Sequence, residues 1–337
     1  MRVLLVGGSK LIGYYLLPLL VREGHDVTVI SRGNRPLNET GVTHIKADRT
    51  ELFTLPGFSG VYDVVIDNVA YTPEDCKNLL ASMRGRLNHY IVTSTVFVYP
   101  NVETALKEPS RPIRETDALF NDAIPECQPA NEHEEYVYNK RRMEHWLCHN
   151  SHQFDVKTTV IRPYFQIVGP NTADGRFAWF WLRVKDGGPI WLPDELIHKA
   201  GPCQLAFSGD VARVILAALN HPPQQYAVYN ATQPELWTYE EYIRLMATVA
   251  GTTPKIHYAP RQVLNEWAGG TYKIPLPYCV PVDVSKAELD LGVSFTSMAT
   301  WIRETGEWMT EFYQDSTPSW YRLRNQEQSW IGLGVRS

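Results

Sequence analysis

Tyr136 and Lys140 stand four residues apart in YVYNK, a spacing that puts both on one face of a helix. A phenol with an ordinary pKa of about 10 is a poor base at neutral pH, and a neighbouring ammonium stabilises its phenolate. The pair predicts a general acid/base, Tyr136, working at a hydroxyl- or keto-bearing carbon, with Lys140 as its support. Taken alone the pattern is commonplace, and on many helices it is a solvated surface pair. Position sharpens it. One connection upstream, TSTVFVY places Thr93, Ser94 and Thr95 at the end of a strand-like run, where parallel α/β sheets bind ligands. From there Thr95 can hydrogen-bond a reacting hydroxyl and orient it toward Tyr136.

A second constellation suits phosphate. The first apolar run enters VGGSKLIG, in which Gly7 and Gly13 keep the outer spacing of a dinucleotide turn and a helix follows at once. Gly7 permits the tight turn, Ser9 lies within it, and the amides near Leu11 and Ile12 can meet pyrophosphate. Gly13 lets helix and strand pack closely. Lys10 stands where a middle glycine is usual; it covers the pyrophosphate, reaches a 2′-phosphate or points to solvent. An ordinary βα turn is the alternative. The second strand ends at Ser31, followed by Arg32, Gly33, Asn34 and Arg35, with no acid for a ribose 2′-hydroxyl. That absence favours NADP over NAD, with Arg32 on the 2′-phosphate or stacked on adenine, against a solvated loop arginine. Asp48, after the third strand, is placed to accept from the adenine amino group, and Lys140 would donate to the nicotinamide ribose.

The elements that must hold these groups follow one theme: a β-branched apolar run, turn residues, then an amphipathic helix, the signature of parallel βαβ units. Strands are expected over 2–6, 26–31, 43–46, 63–67, 90–94 and 157–162, and helices over 11–23, 73–83 and 134–149. Thr72 can cap the second helix, Pro73 fits its first position, and Glu74 and Asp75 suit the positive end of its dipole. Pro18 should bend the first helix. After Arg162 the alternation becomes irregular and rich in Pro and Trp, as expected of a substrate-binding insertion. The predicted class is α/β: a Rossmann-type doubly wound parallel sheet with a smaller, mixed C-terminal substrate-binding domain. Residues 1–165 form the dinucleotide-binding domain, with about 205–230 returning to it. Residues 166–204 and 231–312 form the substrate domain, and 313–337 are a tail with no evident place.

Composition narrows the partners. The 337 residues, 44% hydrophobic and 20% charged, describe a folded globular chain. A formal charge of -5 with no basic run disfavours nucleic acid and anionic membranes, leaving a small-molecule substrate. Five widely spaced cysteines, Cys76, Cys127, Cys148, Cys203 and Cys279, lack a CxxC pair and read as reduced thiols in the cytoplasm. No metal site is expected. His145, His149 and His152 could bring two imidazoles together, but no carboxylate or cysteine completes a ligand set. The N-terminal apolar stretch mimics a signal peptide, yet Lys10 and the glycines interrupt it, and no membrane span is expected.

The pieces VGGSKLIG, IKADRT, DNVAYTPED, TSTVFVY, YVYNKRRME, VIRPYFQIVGP, FSGDVARVILAAL and VDVSKAELDLGV with WIRETGEW occur in the order seen in extended short-chain dehydrogenases. Over about residues 1–310 the chain resembles their NAD-dependent epimerase/dehydratase group. The turn and the DGRFAWFWLRVKDGGPIWLP segment resemble an atypical branch that includes bacterial epimerase-like reductases and chloroplast stem-loop RNA-binding proteins. The resemblance implies that Thr95 is the catalytic Ser/Thr, four residues before Tyr99. It adds Arg35, Arg49, Val69, Ala70, Thr93 and Tyr164 to the cofactor set, and Tyr71, Gln166, Phe177 and Trp181 to the substrate set. Gln166 stands where nucleotide-sugar enzymes commonly carry an asparagine, and Phe177 and Trp181 read equally as pocket wall or as core. The implied activity is hydride transfer at a carbinol or keto carbon of a polar substrate such as a nucleotide sugar. Two alternatives stay open: an NADPH-dependent reductase of a small-molecule, secondary-metabolite ketone, and a cofactor- or RNA-binding protein without chemistry. A homodimer through the helices beginning at Pro73 and Glu134 is also implied.

Overall fold

A computed structural model describes residues 1–37, 39–54, 60–99, 111–118, 120, 124–171, 175–198, 204–274 and 280–332. The chain divides into two compact units, the first comprising Met1–Ile167, Ala206–Pro234 and Val282–Phe295. Its sheet has seven strands: β1 (Arg2–Val6), β2 (Asp26–Ser31), β3 (Thr43–Lys46), β4 (Tyr62–Asp67), β5 (Leu87–Thr93), β6 (Lys157–Pro163) and β8 (Tyr226–Ala231). Their order is β8-β6-β5-β4-β1-β2-β3, and every ladder is parallel. Such strands are covered on both faces, which is why the middles of β1 and β4, Val3–Val6 and Val64–Ile66, read as apolar runs. Order reverses between β1 and β4, so a crevice opens at their C-terminal ends. There the chain places Gly7, Asn68 and Val69.

Local chemistry sets the helices. α1 (Ile12–Arg22) contains Pro18 and buries Leu16, Leu17 and Leu20. α2 (Pro73–Ser82) starts in a capping box: the Thr72 hydroxyl accepts from the Asp75 amide, and the Asp75 carboxylate accepts from Thr72 in return. α3 (Glu132–Asn150) begins two residues before the expected start because the Asn131 side chain caps it, accepting from the Glu134 amide. Met143 and Leu147 of α3 join Leu79 and Leu80 of α2 and Tyr90 and Val92 of β5 in one buried cluster, fixing the roll of the helix that carries Tyr136. α5 (Ser208–Asn220) packs beside α1. Strand β5 starts at Leu87, earlier than the apolar run suggests, because the polar His89 points inward and bonds Thr159 of β6.

The 282–295 segment departs from its expected place in the substrate domain. Ile113 bridges to Val282, and Lys286 of α8 (Ser285–Leu291) donates to the Val228 carbonyl, fastening the segment to β8.

The second unit comprises Val168–Leu205, Glu235–Pro281 and Thr296–Ser337. It contains α4 (Gly175–Lys185), β7 (Pro189–Pro193), α6 (Tyr239–Ala250), β9 (Lys255–Ala259), α7 (Arg261–Trp267), α9 (Met298–Phe312) and α10 (Arg324–Ser329). β7 and β9 pair in parallel. The tail is part of this unit: the Glu327 carboxylate receives the Arg183 guanidinium, and its carbonyl accepts from the Trp191 indole. Among the described residues no helix is long and apolar enough to cross a membrane, and no cluster of metal-ligating side chains occurs. Cys203 and Cys279 lie outside the described residues.

Candidate active site

At the crevice, Gly7 has φ +84°, and a Cβ there would stand 2.7 Å from the Val69 side chain. A Cβ on Gly13 would overlap the Gly8 carbonyl, so both positions require glycine for close approach of turn, strand and helix. No side chain caps α1, whose N-cap Leu11 has φ 43° and ψ -106°. A bare helix start beside a glycine cradle fits the pyrophosphate of a dinucleotide. Lys10 is exposed and Ser9 half-buried.

At the far end of β2, the Ser31 hydroxyl meets His44 Nε2 at 2.9 Å and accepts from the Gly33 amide at 3.4 Å. Arg32 is exposed and Arg35 half-buried. Asp48 turns its Oδ1 onto the Thr50 amide and hydroxyl at 3.0 and 2.9 Å, which holds its carboxyl below the usual range. That oxygen therefore closes a turn. Arg49 is engaged within the protein. It bonds both Asp67 oxygens at 2.7 and 2.6 Å, the Asp75 carboxylate at 3.0 Å and the Asp75 carbonyl at 2.9 Å. Four of its bonds thus go to groups of the protein, two carboxylates and one carbonyl.

Thr95, Tyr136 and Lys140 come together. Burial pushes the Tyr136 phenol up to about 12, and the neighbouring Thr95 side chain acts against that rise. Lys140 is 3% exposed, and its ammonium donates to the Ala70 carbonyl at 2.6 Å and the Thr93 carbonyl at 2.8 Å. Burial lowers it to about 8. Among the described residues no protein group takes its third N–H. The ammonium stands 5.9 Å from the centre of the Tyr136 ring and 4.9 Å from that of Tyr71. The expected relief by Lys140 is not what sets the phenol: burial raises it, Thr95 lowers it and Tyr71 raises it, while the lysine is turned toward the strand ends. Tyr71, half-exposed, meets the Tyr136 ring edge-on with centroids 6.0 Å apart.

Sequence reasoning missed Asn68, which links the catalytic and phosphate ends. Its carbonyl accepts from the Thr93 hydroxyl at 2.7 Å, and its amide donates to the Gly7 carbonyl at 3.2 Å. The polar pair at the end of β4, Asp67-Asn68 before Val69 and Ala70, was the available signal. Thr93 therefore serves the site through its carbonyl and Asn68, since its hydroxyl is engaged. Gln166 is 3% exposed, and among the described residues its Oε1 and the buried Ser94 hydroxyl have no hydrogen-bond partner. Tyr164 is 1% exposed, its ring 4.5 Å from that of Phe165.

Phe177 and Trp181 belong to an aromatic core in the second unit. Phe177 stacks on Trp181 at 6.0 Å and meets Trp301 at 6.2 Å, and the Trp181 indole donates to Thr310 at 2.9 Å. They are 1% and 3% exposed, so of the two readings of these aromatics the packing takes the core. His145 and His149 lie ring against ring at 4.4 Å on α3, with no third ligand among the described residues.

Fold and site together define a dinucleotide-binding α/β protein with a Thr-Tyr-Lys constellation. The NAD dependent epimerase/dehydratase family model matches residues 3–231, and the chain belongs to that family. A curated relative, chloroplast stem-loop binding protein of 41 kDa b from Arabidopsis thaliana, is 28% identical over 281 residues, 77% of this chain and 67% of that protein. Among solved structures, UDP-glucuronic acid 4-epimerase from Bacillus cereus in complex with NAD superposes with a TM-score of 0.65 at 19% identity, covering 95% of this chain and all of that one. UDP-glucose 4-epimerase from Thermotoga maritima gives 0.66 at 18% identity, over 93% and 99% of the two chains. At these identities the superpositions establish the fold.

Proposed function

We propose that this protein is an NAD(P)-dependent oxidoreductase of the epimerase/dehydratase type, acting at a carbinol or keto carbon of a polar substrate such as a nucleotide sugar. The observation that carries this reading is the meeting of Thr95, Tyr136 and a buried Lys140 with one N–H to spare. Tyr136 moves a proton at the substrate oxygen and Thr95 orients that oxygen. Lys140 holds a ribose hydroxyl, and the α1 N-terminus with Gly7 and Gly13 holds the pyrophosphate. When bound, the nicotinamide accepts or returns the hydride. A phenol pushed up to about 12 is protonated at neutral pH, which suits delivery of a proton to a carbonyl oxygen. The superposed UDP-sugar 4-epimerases, one in complex with NAD and one with UDP-glucose, support the substrate class.

A reductase that exchanges NADPH at each turnover is favoured by one feature, Ser31 and the exposed Arg32 where an acid would select NAD. RNA binding by a chain without chemistry draws support from the name of the Arabidopsis relative alone. A homodimer through α2 and α3 belongs to the leading reading.

The test is to denature the purified protein, identify any nucleotide released, and titrate the stripped protein with NADH and NADPH by fluorescence. Stoichiometric NAD⁺ carried through purification supports internal recycling of the cofactor. A nucleotide-free protein preferring NADPH supports the reductase, with Arg32 on the 2′-phosphate. Failure to bind either sinks the oxidoreductase reading.

A further inference from the structure

The turn between β4 and α2 contributes more to the site than its apolar residues suggest. Its middle supplies the Ala70 carbonyl to Lys140 and lays the Tyr71 ring beside both Lys140 and Tyr136. Each end is held by a carboxylate. Asp67 accepts from the Val69 amide at 3.0 Å, and Asp75 accepts from the Tyr71 and Thr72 amides at 2.8 and 2.9 Å. Among the described residues Arg49 is the one group that binds both carboxylates, and only a planar guanidinium with several fixed donors can do so at once. Tyr90 adds a fourth bond to Asp67 from β5 at 2.9 Å. The Asp67 side chain is fully buried and that of Arg49 13% exposed, so the pair is well shielded from water.

We infer that Arg49 is a positioning residue for Lys140: by spanning Asp67 and Asp75 it fixes the turn whose Ala70 carbonyl aims the ammonium. The inference rests on the reading of Lys140 as the cofactor's ribose donor. It assigns Arg49 a role different from nucleotide contact, and it makes the third-strand turn and the catalytic helix parts of one arrangement. A purely architectural Arg49 would hold the same carboxylates, yet its loss would act independently of Lys140.

A double-mutant cycle separates the two, with NADH and NADPH as the probes and the full chain as the sample. Loss of the Lys140 contact should weaken binding of the preferred nucleotide by about tenfold, the scale of one charge-assisted hydrogen bond. Arg49→Met should weaken it comparably, and the Arg49→Met/Lys140→Met protein should bind no more weakly than Lys140→Met alone. Losses that multiply, to about a hundredfold in the double variant, would overturn the inference, as would wild-type affinity in Arg49→Met. Should Arg49→Met fail to fold, Arg49→Lys serves: its single ammonium can pair with one carboxylate but cannot span two. An intermediate loss that vanishes in the Lys140→Met background is expected, and wild-type affinity refutes the clasp. A wild-type protein that binds neither nucleotide overturns the reading of the site itself, and is recognised before any variant is made.

Discussion

Each unit buries a cluster of charge, and the two are built to different ends. In the first, Arg49 joins Asp67 and Asp75, and beside them Lys140 is held by two carbonyls. In the second, Glu327 accepts from Arg183 at 2.6 and 2.9 Å, from Arg324 at 2.9 Å and from Tyr272 at 3.3 Å, while Arg324 also holds Asp186. The second cluster uses arginines, which stay charged, and Glu327 takes four donors. The first includes a lysine brought down to about 8, with a donor left over. Burial of charge by itself therefore marks architecture as readily as function. A titratable cation with an open valence, set beside a hydroxyl pair at strand ends, is what distinguishes the candidate site.

Substitutions can break this contrast. The largest effect is expected for Tyr136→Phe, which removes only the hydroxyl beside Thr95. Turnover, followed by chromatography of the product for UDP-sugars or by nicotinamide absorbance for a model ketone, should fall by about 10²–10⁴-fold with the melting temperature unchanged. Retained turnover would remove Tyr136 from the chemistry.

Glu327→Ala should act in the opposite manner. Leaving Arg183 buried without its carboxylate, and Arg324 with Asp186 alone, costs about 3–5 kcal/mol of stability, read from urea unfolding by tryptophan fluorescence, while NADH affinity stays at the wild-type value. Loss of affinity without loss of stability would erase the distinction between the clusters.

The smallest expected effect is a pH dependence. Burial depresses Lys140 from 10.5 to about 8 in the folded chain. Between those values the unfolded chain holds the proton that the folded chain has released, so stability gains as pH rises from about 8 toward 10.5. The penalty of burying the charge is felt in full below about 8. Cofactor binding runs the other way: NADH affinity should decline above about 8, as the ammonium is lost, by at most about tenfold per pH unit. Lys140→Met should flatten that profile, and an identical slope in the variant would assign the titration to another group.

Much of this was legible in the chain. Parallel strands covered on both faces are continuous apolar runs, and helix starts such as Thr72 with Asp75 are written within four residues, so the βαβ order could be read locally. Tyr136 and Lys140 share a helix face because four residues make about one turn. By contrast, Phe177 and Trp181 are equally apolar as pocket wall or as core, and only their packing with Trp301 decides between them. The tail carried no periodic signal because its place is set by ion pairs reaching back 144 residues, from Glu327 to Arg183.

The sequence by itself determined the order of strands and helices, the glycine turn and the Thr95, Tyr136 and Lys140 triplet, since each depends on residue type and short spacing. Only the tertiary structure decided that Arg49 serves two carboxylates and that Lys140 leans on Ala70 and Thr93. Those bonds join segments up to 70 residues apart, and a hydrogen bond exists only where folding brings donor and acceptor within about 3 Å of each other.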